Sequence, residues 1–242
     1  VPAPAWLILP TYNEAENLEA IVRASLDVIR TTAANGHRIL IVDDGSPDGT
    51  GAIADRLAAE LPDEVEVLHR PNKAGLGRAY LAGFRRALEA GAGYVCEMDA
   101  DFSHDPADLA RLLRVAQDDA DLALGSRYVP GGEVEGWGLL RRVVSRWGCW
   151  YAQHVLGVPV RDLTGGFKCY RREVLEAITL DAVRSQGYAF QVELTYRAVR
   201  NGFRVREIPI VFRDREVGTS KMSPRIALEA VWRVPQMRFH AR

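Results

Sequence analysis

The chain has 242 residues, 48% hydrophobic and 26% charged, the make-up of an ordinary soluble protein with one full core and a short C-terminal appendage. A formal net charge of -1 excludes bulk binding to nucleic acid, which calls for a marked basic excess, so any anion site must be local. Three scattered cysteines, Cys96, Cys149 and Cys169, show no CxxC spacing; they exclude a disulfide framework and a zinc knot and fit a reducing compartment.

In chain order, short β-rich apolar runs alternate with stretches of helical spacing. Strands are predicted at Trp6 to Leu9, Ile39 to Val42, Val65 to Leu68, Tyr94 to Met98 and Leu122 to Leu124. Between them, helices are predicted over Glu14 to Ala33, Gly49 to Leu61, Leu76 to Ala90 and Pro106 to Gln117. Such alternation implies an α/β fold with a mostly parallel sheet flanked by helices, and ligands at the carboxyl ends of the strands. The second half is less regular: a helix from about Leu139 to Val155, a turn at Gly165 and Gly166, a helix from about Phe190 to Arg200 and a strand near Val205 to Phe212. The last stretch, Pro224 to Arg242, reads as an amphipathic helix interrupted by Pro235. It suits a membrane interface or packing against the sheet equally well. No apolar run reaches the length of a membrane span, and the N-terminus lacks the pattern of a signal peptide. Because the chain starts Val-Pro-Ala-Pro without Met, it is expected to be processed or trimmed, or else one part of a longer polypeptide, with a membrane-anchoring partner or a fused domain as the companions to look for.

The polar clusters fall at strand ends: Pro10 to Glu14, Asp43 to Thr50, Asn72 to Gly77 and Asp99 to Ser103. Asp99 and Asp101, two residues apart in extended chain, point to one side and can hold a hard divalent cation, with Ser103 adding a hydroxyl. Asp-Ala-Asp also builds solvated turns, and Asp43 and Asp44 can shape a turn, cap a helix or bind a base or ribose. Asn72 to Gly77 is a glycine-containing loop opening a helix, which suits close approach to a ligand, but it matches neither the Walker pattern nor the dinucleotide fingerprint. Arg141 and Ser145 share a helix face at four-residue spacing and, with Arg127, can cradle a phosphate. The five histidines have no partner at metal spacing and read as structural or surface residues.

Pro10-Thr11-Tyr12-Asn13-Glu14, Ile41 to Thr50, Gly75-Leu76-Gly77, Met98 to His104, Gly125 to Tyr128 and Asp162 to Phe167 together resemble the family 2 glycosyltransferases of GT-A fold. More narrowly they resemble the polyprenyl (dolichyl) phosphate mannose synthases, from about Ala5 to Lys221. The resemblance implies a glycosyltransferase domain over 1–221 and an interfacial helix over 222–242. It implies inverting transfer of mannose from GDP-mannose to polyprenyl phosphate by a peripheral enzyme at the cytoplasmic face of a membrane, with Mg2+ or Mn2+ as cofactor. Pro10, Tyr12, Glu14, Val42 and Asp44 would hold the guanosine end, and Asp99 and Ala100 would contact the nucleotide sugar. Asp101 would be the chief metal ligand, with Asp99 and Ser103 assisting. Arg127, Arg215 and Lys221 would face the diphosphate, while Arg127, Arg141 and Ser145 would receive the lipid phosphate. Tyr188 to Glu193 resembles a stretch near the sugar. Transfer of glucose or another sugar to the same lipid would keep every motif, and a non-catalytic module that binds nucleotide sugar without turnover is the reading from another class. A sugar nucleotidyltransferase would show a basic, glycine-rich loop after the first strand, where this chain has Pro10 to Glu14.

Overall fold

In the computed structural model, which describes residues 3–33, 35–214 and 232–239, strand and helix alternate through the first half as the apolar periodicity predicts. The order is β1 (Ala5–Thr11), α1 (Leu18–Thr32), β2 (His37–Asp43), α2 (Thr50–Glu60), β3 (Val65–His69), α3 (Leu76–Glu89), β4 (Tyr94–Glu97), α4 (Asp108–Asp118) and β5 (Leu122–Ser126). Only α1 departs from its predicted start by more than two residues. Its approach is tied elsewhere: the Glu14 N–H donates to Thr50 Oγ1 at 3.0 Å and the Ala15 N–H to Asp48 Oδ2 at 3.1 Å, so 15–17 form a turn.

After these come β6 (Glu133–Val134), α5 (Leu139–Leu156), β7 (Lys168–Arg171), α6 (Arg172–Ile178), a 3-10 turn (Leu180–Ala182), α7 (Gly187–Arg200), β8 (Val205–Pro209), β9 (Val211–Phe212) and α8 (residues 232–239). The main sheet has seven strands in the order β3-β2-β1-β4-β7-β5-β8. All its pairings are parallel except those of β7, which runs antiparallel to both β4 and β5. The predicted strand near Val205 to Phe212 is two strands: Pro209 ends β8, and β9 leaves the main sheet to pair with β6. Proline has no N–H to extend the ladder, which suits a break there.

β1 is buried along its whole length, as a central parallel strand covered on both faces must be. Its residues divide by alternation: Ala5, Leu7 and Leu9 face the core under α1, α2 and α4, whereas Trp6 and Ile8 face the core under α3, α6 and α7. Gly83 lets α3 lie close on that second face, since a Cβ there would stand 2.5 Å from Ile8 Cγ2. A third apolar cluster joins Leu156, Val158 and Val192 to Val234 and Met237 of α8. The described part of the C-terminal segment therefore packs on the body through one face, and Trp232 and Phe239 stay exposed. Pro235 does not interrupt the described stretch, which is helical through 232–239. The rest of the predicted helix, 224–231 and 240–242, lies outside the described residues.

Candidate active site

The carboxyl ends of β1, β2, β4 and β5 open on one cavity of about 580 Å³. At the β2 end the two adjacent aspartates divide their duties. Asp43 is a turn builder: its carboxylate accepts from Thr11 Oγ1 (3.2 Å), Ser46 Oγ (2.6 Å) and the Ser46 N–H (3.2 Å). Asp44 lines the cavity, where Arg70 pairs with it and the Ala74 N–H donates to it at 3.2 Å. Pro10, Tyr12 and Glu14 line the same wall, and Lys73 Nζ lies 4.0 Å from the centre of the Tyr12 ring. Val42, expected from the resemblance to touch the nucleotide, is not on this wall: its side chain is buried in the core beneath α3. Alternation along β2 turns it to the opposite face from Ile41, leaving only its main chain to meet a ligand.

At the β4 end Asp99, Ala100, Asp101 and Ser103 all line the cavity. The Tyr80 hydroxyl, fixed by ring stacking on Phe84 and Phe190, donates to Asp99 Oδ1 at 3.2 Å. The Ser103 N–H donates to Asp101 Oδ1 at 3.1 Å, closing a tight turn in which Phe102 takes φ 58°. A left-handed conformation at a bulky residue is strained, and here it aims Asp101 and Ser103 inward while Phe102 is turned outward. The Ser103 hydroxyl oxygen is buried with no hydrogen-bond partner among the described residues. Two carboxylates and an unsatisfied hydroxyl are the donor set of a hard cation such as Mg2+ or Mn2+. Among the described residues no group of three or more His, Cys, Asp or Glu side chains is gathered for a metal, so water and substrate oxygens would complete its shell. His104, unremarkable in the sequence, lies buried between Phe167 and Phe212 at the edge of this group, and burial pulls its pKa down to about 4 against the opposing charge of Asp101.

The third wall is built around Arg127, at the end of β5. Its Nε and Nη2 donate to Asp162 Oδ2 (2.7 Å) and Oδ1 (2.6 Å), its main-chain N–H to Oδ2 (2.9 Å), and Nη2 again to Thr164 Oγ1 (2.8 Å). Burial works against both charges of this pair, yet each overrides it: Arg127 is held further protonated and Asp162 further ionised than in water. Arg127 thus spends most of its donors on ordering the 162–166 loop, which brings Gly165 and Gly166 to the cavity. The sequence reading has this guanidinium meeting both the diphosphate and the lipid phosphate; Nη1 is the donor that Asp162 and Thr164 leave for such a role.

Arg141 and Ser145 do sit one turn apart on α5, but with different partners. Arg141 Nη1 binds both oxygens of Asp214 at 3.0 Å and its guanidinium covers the Trp137 ring at 4.1 Å. Ser145 Oγ accepts from the Tyr128 hydroxyl at 2.7 Å and does not line the cavity. Trp137, buried between the guanidinium groups of Arg127 and Arg141, has no motif to announce it in the sequence. Arg215 and Lys221 lie outside the described residues.

This fold has known relatives. Residues 6–179 match the model of glycosyl transferase family 2, and the chain belongs to that family. It is 53% identical over 230 residues to polyprenol monophosphomannose synthase of Mycolicibacterium smegmatis, covering 95% of this chain and 85% of that protein. It is 48% identical over 235 residues to undecaprenyl-phosphate mannosyltransferase of Micrococcus luteus, covering 97% and 94%. Among solved structures, glucosyl-3-phosphoglycerate synthase of Mycobacterium tuberculosis in complex with Mn2+ and UDP-glucose superposes with a TM-score of 0.71 at 16% identity, over 98% of this chain and 79% of that one. Mannosyl-3-phosphoglycerate synthase of Rubrobacter xylanophilus gives 0.66 at 18% identity, over 99% and 74%. The architecture is the GT-A fold.

Proposed function

We propose that this glycosyltransferase moves mannose from GDP-mannose to a polyprenyl phosphate at a membrane surface, with inversion at the sugar carbon. The observation that carries the reading is the placement of Asp99 and Asp101 on one cavity between the Tyr12 and Asp44 wall and the Arg141 wall. The mannosyltransferase relatives at 53% and 48% identity supply the sugar and the lipid class.

In this account Tyr12, Glu14 and Asp44 hold the nucleoside, with Lys73 beside them, and Pro10 and Ala100 shape the walls. Asp101, Asp99 and Ser103 would hold a divalent cation, which supplies charge neutralisation for the departing diphosphate. Tyr80 keeps Asp99 turned inward, and Arg127 keeps the 162–166 loop against the cavity. Arg141 receives the acceptor phosphate in exchange for Asp214, and Arg215 and Lys221 act on the diphosphate. A phosphate monoester has its second pKa near ~6 and is largely dianionic at neutral pH, so it attacks without a strong general base. Orientation is then the main task, which suits a site rich in arginine.

The acceptor lives in a bilayer, and α5 offers a surface to meet it. Leu139 and Leu140 are 79% and 78% exposed, and Val143, Val144, Trp147 and Trp150 continue the apolar face away from Arg141. With Arg142 and Arg146 exposed beside it, this face has the composition of a helix lying in an interface. Among the described residues no helix is long and apolar enough to cross a membrane. The cytoplasmic leaflet, rich in anionic lipid, fits those arginines.

The reading is tested by incubating the protein and Mg2+ with radiolabelled GDP-mannose, UDP-glucose or UDP-GlcNAc in separate reactions with a short polyprenyl phosphate. Label should enter the organic phase from GDP-mannose; entry from UDP-glucose alone would change the sugar, and binding without entry would make the protein a non-catalytic module.

A further inference from the structure

A buried ion pair lies under the cavity floor and takes no part in the mechanism above. Lys168 of β7 faces Glu97 of β4 in the antiparallel register; both are fully buried, and Nζ stands 3.3 Å from Glu97 Oε1. Tyr170 donates its hydroxyl to the same oxygen at 3.2 Å. Burial alone would neutralise both members, pushing Glu97 up and Lys168 down, and each charge opposes that push on the other. Breaking up such a pair is costly, and a pair buried this deeply is weak evidence of stabilisation for its own sake. Its position suggests another use.

The remaining donors of Lys168 go to α7. Nζ donates to the main-chain oxygen of Gln191 at 3.2 Å and to the side-chain oxygen of the same residue. An ammonium has three donors and no acceptor, so it accepts only one orientation of the Gln191 amide: oxygen toward Lys168, nitrogen away. Gln191 is 3% exposed and lines the cavity. Its Nε2 is buried and makes no hydrogen bond of full geometry among the described residues. It lies beside Gly166, where a Cβ would come within 3.3 Å of it. The amide NH2 faces the Glu97 carboxylate closely enough to help hold it ionised, which occupies one of its two hydrogens. An NH2 group has a second hydrogen, and the missing side chain at Gly166 leaves its path to the cavity open.

We propose that Gln191 reads the transferred sugar, donating a hydrogen bond from Nε2 to one hydroxyl oxygen, and that Lys168 and Glu97 are the positioning pair that fixes its amide. The inference rests on the cavity being a nucleotide-sugar site, as proposed above. A hydroxyl fits better than a phosphate oxygen. The amide is neutral, the pair behind it is neutral overall, and the Glu97 carboxylate at its back disfavours a second anion. Because the amide cannot rotate without facing an N–H to an ammonium, the site demands an acceptor at one fixed point, which is a device for telling sugars apart.

The test uses the full chain with Mg2+, polyprenyl phosphate, GDP-mannose and its 2-, 3-, 4- and 6-deoxy analogues. In the parent protein one deoxy analogue should lose roughly tenfold to a hundredfold in kcat/KM beyond the others. Gln191→Met should lose a similar factor on GDP-mannose and nothing further on that one analogue, while the affinity for GDP, which has no sugar, stays within about twofold. Gln191→Glu keeps an oxygen for Lys168 but offers no donor, so it should lose at least as much, and it serves if the methionine variant folds poorly. The double variant Glu97→Gln/Lys168→Met should add little when combined with Gln191→Met, the sign that the pair acts through the amide. Equal extra losses for Gln191→Met on all four analogues, or a matching fall in GDP affinity, would overturn the assignment. If the parent protein ignores GDP-mannose but uses another nucleotide sugar, the donor reading fails by itself and the deoxy series of that sugar decides on Gln191. If it uses none, both fail.

Discussion

Replacing Asp162 by Asn should destabilise the protein more than any surface change, because it strands a buried cation. Arg127 is 7% exposed and Asp162 is fully buried, and three of the bonds between them measure 2.6 to 2.9 Å. Removing one member of such a pair costs about 3 to 5 kcal/mol, since the other stays buried without its counter-charge. For a chain of this size each kcal/mol moves Tm by about 2 to 4 °C, so the expected drop is roughly 6 to 20 °C. Arg127→Met/Asp162→Leu removes both charges and leaves mainly the Arg127 N–H without an acceptor, at about 1 to 3 kcal/mol. Thermal unfolding of the parent protein, Asp162→Asn, Arg127→Met and the double variant gives the answer directly. The pH dependence has a definite sign. Asp162 is held below its usual pKa despite burial, by the charge of Arg127 and the hydrogen bonds it supplies. Its contribution is therefore complete above the unfolded pKa of ~4 and is lost as pH falls through the lower folded value. The gap in Tm between the parent and Asp162→Asn should be level from neutral pH to about 5 and close below about 4. A drop of less than about 1 kcal/mol, or a double variant as unstable as the two single losses summed, would refute the account of a charge pair that orders the 162–166 loop.

Three other expectations follow from the site. Tyr80→Phe keeps the stacked ring but removes the donor to Asp99, so the Mg2+ concentration needed for half-maximal rate should rise about tenfold, with metal-free GDP binding unchanged; an unaltered Mg2+ requirement would separate Tyr80 from the metal ligands. Arg141→Ala should lower kcat/KM for polyprenyl phosphate roughly tenfold to a hundredfold at unchanged GDP-mannose affinity, and Arg141→Lys should restore only part; Arg142→Ala, about a hundred degrees around the helix, should stay within about twofold, and equal losses would remove α5 from the acceptor site. Leu139→Ser/Leu140→Ser/Val143→Ser should leave Tm nearly unchanged, because all three are exposed, yet cut binding to anionic vesicles by roughly a hundredfold or more; flotation equal to the parent protein would move any membrane contact elsewhere, with deletion of 224–242 testing the C-terminal segment.

The parallel half of the fold was readable because its strands are buried on both faces and its helices on one, which leaves a plain periodic trace. The position of the candidate site was readable for the same reason: Asp99 and Asp101 follow an apolar run, and the cavity they line opens at strand ends, where an α/β sheet places its ligands. What stayed hidden depended on partners far away in sequence. β7 carries Lys168 at a fully buried position, which contradicts a strand interior until Glu97 is known to lie across from it. Arg127 reads as a free phosphate-binding guanidinium until Asp162, 35 residues on, is brought to it by the turn after α5. The two aspartates at the end of β2 look alike on paper, and only the reach of Ser46 and Thr11 to the first, and of Arg70 to the second, separates their uses. Gly165 and Gly166 announce a turn, but that this turn bares the Gln191 amide follows from the approach of α7 in three dimensions. Trp137 and His104 carry no spacing signal at all, since their roles come from the rings and charges that enclose them.

The most direct measurement is the transfer of label from radiolabelled GDP-mannose to a short polyprenyl phosphate by the parent protein and by Asp101→Ala, each with Mg2+ and with excess chelator. The account predicts organic-phase label from the parent protein with Mg2+ only, and a loss of roughly a hundredfold or more in Asp101→Ala while the fold stays intact. Transfer at the parent rate by Asp101→Ala, or by the parent protein in chelator, would contradict it.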